Sequence, residues 1–518
     1  MFRKQIVLVL VVLIITIGTV WAGGGQNTGS KGPAADGELP ILEYWRTNNG
    51  FLPVDIGSPY YNLQKKVTGM SVWMPYVEWN GGVDFNRALN LRFAAGNPPN
   101  FFYVVNGIEV ELIRNGAIAD LTDLMPKYAP RAMKFVPETM WNIAKANDPT
   151  GKGRIWWFPA FSDHVRQGGL IRQDWLDTLG LQMPKTQAEY VNVLRAFRDR
   201  DPNRNGLADE IPTGGRQGGR WMDHLFNMYG VASYEGNPVW DIYNGQLTYS
   251  AVTQNMKDCL IFMRQLYQEK LMDNETFLND QSAWNTKVVT NRVGNFYHIP
   301  TQFENWAGSI YQNTGVKPNW VAMPIIEVPG YEGKGFNTWQ TQTAINWAVS
   351  AKQDETHLIA TLKLLDALCN TDNWMELYYG VEGMHHKVEN GRKVLLPEDK
   401  SKMELKLMAA WEHINILDFW VKVFDTVKTS ENAWLYDSAT KALQGIQQGR
   451  RHIAGDGLPN TIYQDYPDIR NHTLWQEYMS KIVIGTFDIS KFDEFVQKWN
   501  AAGGAEVTRR AREWYAKK

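Results

Sequence analysis

The sequence predicts an α/β protein, and three observations support this class. Short apolar runs typical of buried strands alternate with amphipathic helical patterns along the chain. Hydrophobic residues make up 44% of the composition and charged residues 21%, as in globular proteins. No repeat of fixed period and no long block of like charge interrupts the alternation. With 518 residues, and roughly 150 residues per domain, the chain can form two large or about three smaller units.

The first elements follow from local patterns. Residues 41–46 have the pattern of a strand. Residues 85–93 have helical apolar spacing, and the Gly-Asn-Pro-Pro run at 96–99 ends that helix. Residues 101–105 are continuously apolar, which predicts a strand covered on both faces of its sheet. Because such strands alternate with helices, we expect sheets that are mainly parallel.

The clearest helix signal lies near the middle of the chain. Thr186 is followed three residues later by Glu189, and this pair has the spacing of a capping box. Apolar residues then recur at helical spacing over 190–197.

Similar patterns predict the later elements. Residues 256–267 and 358–369 have helical apolar spacing, and a strand over 345–349 precedes the second of these helices. Ser490 and Asp493 have the spacing of a cap that opens a last helix.

Charge and cysteine content exclude several classes. Lys and Arg number 53 against 55 Asp and Glu, so a formal charge of -2 gives no general attraction for nucleic acid or anionic lipid. Cys259 and Cys369 each lie in an apolar helical pattern, which predicts two unpaired core thiols rather than a disulfide.

Tryptophan is unusually abundant, with 22 residues. Such side chains fill cores, but they also line sites for amphipathic ligands such as sugars. We expect Trp175 and Trp499 to be core residues because both lie in apolar helical patterns.

The N-terminus has the pattern of a signal peptide over residues 1–22. Arg3 and Lys4 precede an apolar stretch at 6–17 of about a dozen residues, short of the ~20 that cross a bilayer. An uncleaved anchor is the alternative. Residues 23–37 are rich in Gly, Ser and Asn and predict a solvated leader. We therefore expect an exported protein, periplasmic or extracellular, with no cysteine near the cleavage point for lipid attachment.

An oxygen-rich loop follows the Thr186 helix. Its alternating side-chain oxygens suit Ca²⁺, which takes six to eight oxygen ligands, and Gly206 permits the sharp turn. The spacing matches the first half of an EF-hand, but Pro212 stands at position twelve, where the bidentate Glu would be. The alternative is a turn without metal. We expect a structural Ca²⁺ held by Asp201, Asn203, Asn205, the Leu207 carbonyl, Asp209 and Glu210.

Several longer stretches resemble a known family. FNRALNLRFAAGNPPNFFYVV from Phe85 and GAIADLTDLMPKYAP from Gly116 resemble the first lobe of bacterial extracellular solute-binding proteins of family 1. GLIRQDWLDTLGLQMPKTQAEYVNVLRAF from Gly169, which runs into DPNRNGLADEIP, is similar to the oligosaccharide-binding subunits of ABC importers, particularly the alginate-oligosaccharide-binding proteins. YYGVEGMHH from Tyr378 and YMSKIVIGTFDISKFDEFVQKW from Tyr478 also match, so the resemblance covers nearly all of the chain after the signal segment.

The resemblance implies a fold of the periplasmic-binding-protein type, with two α/β lobes, a hinge and a ligand cleft between the lobes. One lobe would comprise residues 38–158 and 335–412, and the other residues 159–334 and 413–518. The implied function is to capture an oligosaccharide and deliver it to the permease subunits of an ABC transporter, as a monomer and without catalysis. The family's calcium loop has the same DxNxNGxxDE pattern, so the same six metal ligands carry over.

Candidate ligand contacts come from two sources. Trp45 and Trp157 lie where a strand ends or the chain crosses between lobes, while the other positions follow from the resemblance or could form hydrogen bonds with hydroxyls. Arg216 and Arg220 lie in a Gly-rich loop; we expect solvated side chains there, with a clamp on a uronate as the alternative. The expected contacts are Trp45, Trp157, Tyr297, His298, Glu382, His385 and Trp420.

Two other functions fit the sequence less well. A secreted carbohydrate-active enzyme is one alternative, but the chain has no Ser nucleophile elbow, no GxxxxGK loop and no HExxH motif. A binding protein that serves a sugar sensor is the other.

Overall fold

The computed structural model describes residues 39–48, 50–105, 108–341, 346–396, 399, 401–407, 414 and 416–518, without the side chains of 304 and 305. The predicted signal peptide and leader lie outside the described residues. The strands are β1 (Ile41–Trp45), β2 (Ser71–Trp73), β3 (Phe101–Val104), β4 (Gly168–Arg172), β5 (Ile211–Thr213), β6 (Ser233–Tyr234), β7 (Asn237–Pro238), β8 (Trp240–Tyr243), β9 (Gln246–Tyr249), β10 (Val293–His298), β11 (Trp320–Ala322), β12 (Asn337–Trp339), β13 (Asn346–Val349), β14 (His386–Glu389), β15 (Arg392–Leu395) and β16 (Arg450–His452).

Helices surround the strands in the described chain. They are α1 (Pro59–Thr68), α2 (Val83–Ala94), α3 (Glu109–Arg114), α4 (Leu124–Tyr128), α5 (Pro130–Phe135), α6 (Glu138–Ala146), α7 (Gln173–Leu179), α8 (Gln187–Asp199), α9 (Asp223–Met228), α10 (Gln254–Gln268), α11 (Gln281–Val289), α12 (Phe303–Thr314), α13 (Glu355–Leu368), α14 (Asp372–Tyr379), α15 (Leu417–Val427), α16 (Ala433–Gly445), α17 (Pro467–Arg470), α18 (Thr473–Ile484), α19 (Lys491–Trp499) and α20 (Ala505–Tyr515). Among the described residues, no helix has the length and apolar character needed to cross a membrane.

Two four-stranded sheets organise the fold. The first has the order β13-β3-β1-β2 and the second the order β11-β4-β10-β5. The strands of the first sheet come from the segments assigned to one lobe by sequence, and those of the second come from the segments assigned to the other. The α/β class is as predicted, while the lobe boundaries stay a prediction.

The sheets are mixed, so the prediction of mainly parallel sheets was wrong. β1 pairs in parallel with β2 and β3, and β10 with β5, whereas the β13–β3, β10–β4 and β11–β4 pairs are antiparallel. The reason lies in the connections. β4 and β13 follow segments that come from the other sheet, so each begins at the edge where its parallel neighbours end.

Segments between the two sheets lie side by side. The Ser162 N–H donates to the Thr341 carbonyl (2.8 Å), and the Val165 N–H donates to Gln447 Oε1 (3.0 Å). β12 and β16 pair in parallel next to them. These backbone links join residues 159–167, 335–341 and 446–456 into one group of segments, which we call the hinge.

Aromatic residues fill the core of both sheets. In the first sheet, the Trp347 indole N–H donates to the Tyr44 hydroxyl (2.9 Å). On one face of the second sheet, Trp175 meets Phe197 edge-on at 5.1 Å, and on the other Phe296 meets Trp320 at 5.2 Å. Such pairs contribute about 0.5–1.5 kcal/mol beyond the area they bury.

The residues predicted to be core are buried. Trp175 and Trp499 have 1% and 2% of their surface exposed, which confirms their predicted role. Cys259 and Cys369 are buried free thiols, as predicted, and burial raises the pKa of each.

The two predicted helix caps had different outcomes. At α8 the Glu189 N–H donates to Thr186 Oγ1 (3.3 Å) and the Thr186 N–H donates to Glu189 Oε2 (3.1 Å), so the capping box is confirmed. Ser490 precedes α19 but has helical backbone angles, which keep its hydroxyl from the cap. The predicted cap there was wrong, and α19 is followed by α20.

This difference gives a matched pair of variants. Thr186→Ala should destabilise the first turn of α8 by about 1 kcal/mol, equivalent to about fivefold faster amide exchange there. Ser490→Ala should change exchange at α19 much less, because no cap bond is lost. Hydrogen–deuterium exchange of both variants measures the difference, and equal effects would contradict the assignment of the caps.

Candidate functional site

Three chain segments converge on one edge of the second sheet. The parallel strands β5 and β10 end there at Thr213 and His298, and the antiparallel β4 begins there at Gly168. The residues just outside this edge are therefore the loop 214–221, His298 itself and the pair 166–167. In open α/β sheets, ligands bind outside the carboxyl ends of the strands.

An aromatic stack lies at this edge. The rings of Trp221 and His298 are 4.5 Å apart and nearly parallel at 21°, and Trp306 lies 4.4 Å from the other side of the imidazole ring. Trp221 has a positive φ of 67°, a conformation that is rare outside glycine and is commonest at functional sites. Among the described residues, neither nitrogen of His298 nor the Trp221 indole N–H has a hydrogen-bond partner, although all three atoms are buried.

The His298 ring is held neutral. Its burial, followed by the nearby charges of Arg216 and Arg166, lowers its pKa well below the usual value. A neutral imidazole has one N–H donor and one acceptor nitrogen, the pair of functions that a sugar hydroxyl can satisfy.

Arginines surround the stack, contrary to the expectation of solvated side chains. The Arg216 guanidinium lies 5.0 Å from the Trp221 ring centre, and the residue is only 5% exposed. Arg220 is paired with Glu235 through Nη2 (2.6 Å). The expectation was wrong because the Gly-rich loop folds back on itself, with the Arg216 N–H donating to the Arg220 carbonyl (3.0 Å).

The first sheet presents a similar edge. β1 ends at Trp45, and the chain continues through the buried Asn48, whose Nδ2 has no partner in the described part of the chain. Gly81 comes after β2 in the chain, and a Cβ atom placed on it would lie 3.3 Å from Nε2 of Gln217, which belongs to the loop 214–221. The two edges therefore approach each other at this point.

Trp45, Trp157 and Trp420 occupy three different environments. Trp45 is buried, its N–H donates to Glu43 Oε1 (2.8 Å), and the Arg92 guanidinium lies 5.1 Å from its ring centre. Trp157 is a buried core residue next to the start of the hinge. Trp420 lies on α15, and its buried N–H has no partner among the described residues. Their predicted ligand roles stay predictions.

Tyr297 lies near the end of β10, in one buried cluster with Trp221 and Ile299. Its ring is nearly parallel to that of His224 at 6.4 Å, and burial raises its pKa well above the usual value. A sugar can reach this ring only if the cleft opens onto it, so its role also stays a prediction.

Glu382 and His385 are placed differently from the other candidates. Glu382 is exposed. His385 is buried, with Nδ1 accepting from the Val381 N–H (3.1 Å) and Nε2 bonded to the Glu404 carbonyl (2.9 Å). Because both nitrogens already bind backbone groups, neither is available to a sugar hydroxyl. This arrangement counts against the predicted ligand role of His385.

The oxygen-rich loop folds around its own polar side chains. The N–H groups of Asn205 and Gly206 donate to the two Asp201 carboxylate oxygens (3.1 and 3.0 Å), and the Leu207 N–H donates to Asn205 Oδ1 (2.7 Å). These bonds curl the chain around its own side-chain oxygens, and Gly206 has a φ of 77° at the turn.

Glu210 provides the test of whether a cation fits. Both of its carboxylate oxygens are buried without a hydrogen bond in the described structure. Its burial, followed by the charges of Asp201 and Asp209, raises its pKa to about 6. Arg292 pairs with Asp209 (3.0 Å). A cation bound at the Glu210 carboxylate would offset this repulsion, and together with the amide and carbonyl oxygens of the same loop the residues fit Ca²⁺.

The predicted Ca²⁺ ligands are not all acidic side chains. Within the described ranges, no cluster of three or more His, Cys, Asp and Glu side chains is arranged to hold a metal ion. The predicted ligand set differs from such a cluster because it includes Asn203, Asn205 and the Leu207 carbonyl. Amide and carbonyl oxygens are ordinary ligands of Ca²⁺.

Sequence reasoning missed Trp221, Glu235 and Arg166. The signal that points to Trp221 is its loop, GGRQGGRW, directly after the short apolar strand β5. Arg166 and Glu235 have no comparable local signal, because Arg166 precedes β4, Glu235 lies between β6 and β7, and only the tertiary fold brings them together.

Sequence comparison finds relatives that align with long stretches of the chain. No protein-family model matches the chain. The chain is 24% identical over 481 residues to the lipoprotein LipO of Bacillus subtilis (strain 168), covering 88% of this chain and 89% of LipO. It is 30% identical over 311 residues to FusA, the fructooligosaccharide ABC transporter substrate-binding protein of Streptococcus pneumoniae serotype 4, covering 55% and 56% of the two chains.

Solved structures give the same result for the fold. The alginate-binding protein AlgQ2 without calcium ion superimposes with a TM-score of 0.64 at 20% identity, over 92% of this chain and 98% of AlgQ2. FusA of S. pneumoniae in complex with kestose gives a TM-score of 0.66 at 19% identity, over 92% and 99%. These relatives and structures agree with the resemblance seen in the sequence. Like the solute-binding proteins FusA and AlgQ2, the chain has the periplasmic-binding-protein fold.

Proposed function

We propose that this solute-binding protein captures an oligosaccharide in the cleft between its two lobes and delivers it to the permease subunits of an ABC transporter. The observation that carries the proposal is the edge of the second sheet, where buried polar atoms of Trp221, His298 and Arg216 have no partner among the described residues. Buried polar groups in proteins are nearly always hydrogen-bonded. A ligand rich in hydroxyl groups supplies the missing partners.

Opening and closing of the cleft follow from the hinge. An oligosaccharide that contacts both sheet edges binds the closed form more tightly than the open form, and so shifts the population toward closure. We assign residues 38–158 and 335–412 to one lobe and 159–334 and 413–518 to the other. The approach of Gln217 to Gly81 supports a cleft between these edges.

We further propose a structural Ca²⁺ in the oxygen-rich loop. The buried carboxylate of Glu210, next to Asp201 and Asp209, supports it. A fully coordinated ion has no open position for a substrate, so it would stabilise the second lobe rather than take part in chemistry. The ligands are Asp201, Asn203, Asn205, the Leu207 carbonyl, Asp209 and Glu210.

We propose that the protein is exported, acts as a monomer and does not alter its ligand. FusA and AlgQ2 are binding proteins, which supports the proposal that the ligand is not altered.

Titration calorimetry with neutral and acidic oligosaccharides, followed by chromatography of the recovered sugar, tests the proposed function. We expect saturable binding of at least one oligosaccharide and its recovery intact. Release of shorter sugars would indicate an enzyme instead.

Trp420 is the predicted stacking residue whose environment is most open to a ligand, because it is only partly buried and its N–H is unpartnered in the described structure. Trp420→Ala should weaken binding of the tightest oligosaccharide by about 1–3 kcal/mol and leave the melting temperature nearly unchanged. Glu477→Gln, a change in an exposed pair with Lys481, serves as the control and should leave the affinity unchanged. Equal affinities of Trp420→Ala and the unsubstituted protein would remove Trp420 from the site.

A further inference from the structure

We infer that the arginines at the edge of the second sheet bind the carboxylate of a uronic acid, so that the captured oligosaccharide is acidic. The inference rests on the proposed function and adds the chemical class of the ligand. It concerns Arg166, Arg216 and Arg220 around Glu235, which we call the arginine cluster.

The arginine cluster has an excess of positive charge. Glu235 accepts from Arg220 Nη2 (2.6 Å) and Gln167 Nε2 (3.0 Å), and Arg166 Nη1 lies 3.6 Å from the same carboxylate. Glu235 therefore faces three guanidinium groups. The neighbouring Asp223 adds a second buried carboxylate, which accepts from the Gly236 N–H (2.8 Å) and whose pKa burial raises to about 6. With both carboxylates ionised at neutral pH, the three guanidinium groups keep one uncompensated positive charge.

Arg216 stacks on Trp221 (5.0 Å) but has no ion pair with a carboxylate in the part of the chain that the structure describes. It is 5% exposed, and its Nε and Nη1 are buried with no hydrogen bond or ion pair to any residue that the structure describes. Burial, followed by the charge of Arg220, lowers its pKa to about 10. A buried charge without a partner is strongly unfavourable, and an anion beside it offsets that cost.

The N–H donors of Arg216 indicate the chemical class of the ligand group that would bind them. A guanidinium has N–H donors and no acceptor, and it matches the planar carboxylate better than a hydroxyl, which also needs an acceptor. The uncharged Trp221 N–H and His298 imidazole beside it suit the hydroxyls of the same sugar residue. A single ligand carboxylate also neutralises the one positive charge that Glu235 and Asp223 leave uncompensated.

The test uses short oligogalacturonates and alginate oligosaccharides, the same oligosaccharides after reduction of their carboxyl groups, neutral fructooligosaccharides and sulfated oligosaccharides. Affinities for the full-length protein are measured by titration calorimetry. A charge-assisted hydrogen bond corresponds to about tenfold to about hundredfold in affinity, so we expect at least one acidic sugar to bind about thirtyfold tighter than its reduced form.

Arg216→Gln separates a ligand contact from a structural role. It should lower the affinity for the acidic sugar by a similar factor and leave the affinity for the reduced form unchanged. It should not lower the melting temperature, because it removes a buried charge that has no partner in the described structure. Arg195→Gln is the matched control, since Arg195 pairs with Glu269 on the exposed side of α8 and should leave both affinities unchanged.

Each contrary outcome has a distinct meaning. Equal affinities for acidic and reduced sugars, tighter binding of the neutral ones, or an unchanged affinity of Arg216→Gln would overturn the inference while the proposed function stands. Binding of the sulfated sugars alone would overturn the carboxylate assignment. Binding of none of the sugars would overturn the proposed function and this inference with it.

Discussion

Removal of Ca²⁺ is expected to lower the melting temperature by roughly 8 °C. An ion in thousandfold excess over its dissociation constant stabilises the folded state by about 4 kcal/mol, and each kcal/mol corresponds to about 2 °C for a large domain. Differential scanning calorimetry with a chelator and then with excess CaCl₂ measures the shift. An identical melting temperature under both conditions would count against the ion.

Glu210→Gln should reduce the rise in melting temperature that Ca²⁺ causes. Without Ca²⁺ the variant should melt at or above the temperature of the unsubstituted protein, because it removes a buried carboxylate that lies next to two others. With Ca²⁺ it should gain little stability, because a ligand is lost. Glu477→Gln, which affects only an exposed pair with Lys481, should keep the full response.

The second large effect is expected at Trp221. Its ring lies 4.5 Å from the His298 imidazole and 5.0 Å from the Arg216 guanidinium, so removing the indole takes a packing partner from both groups. Trp221→Ala should weaken binding of the tightest oligosaccharide by about 1–3 kcal/mol, which is about tenfold to about hundredfold.

A surface tryptophan provides the control for this variant. Trp434 packs against the exposed Tyr311 on α12, and Trp434→Ala should leave the affinity unchanged. If Trp221→Ala binds as tightly as the unsubstituted protein in the same calorimetric titration, the aromatic stack does not form part of the ligand site.

Local patterns predicted the elements whose causes are local. The capping box at Thr186 and the apolar strand at β3 depend on residues a few positions apart, and both formed as expected. Ser490 shows the limit, because its backbone angles, and not its identity, decide whether its hydroxyl can cap a helix. The prediction of strand direction was wrong for a related reason, because the direction of a strand depends on the edge at which the chain re-enters its sheet.

The candidate site depends on contacts distant in sequence. The oxygen-rich loop is contiguous, so the sequence alone could name its residues as candidates, although the burial of Glu210 was not predictable. The sequence predicts a solvated Arg216 side chain, and only the fold of its loop shows that the side chain is buried. Arg166 precedes β4 and Glu235 lies between β6 and β7, and no spacing along the chain encodes their contact.

Small-angle X-ray scattering tests capture by closure most directly. The radius of gyration of the protein is measured alone and then saturated with its tightest oligosaccharide, and the sugar is recovered afterwards. We predict a smaller radius of gyration in the complex and a sugar of unchanged length. An unchanged radius at saturation, or a shortened sugar, would contradict the account.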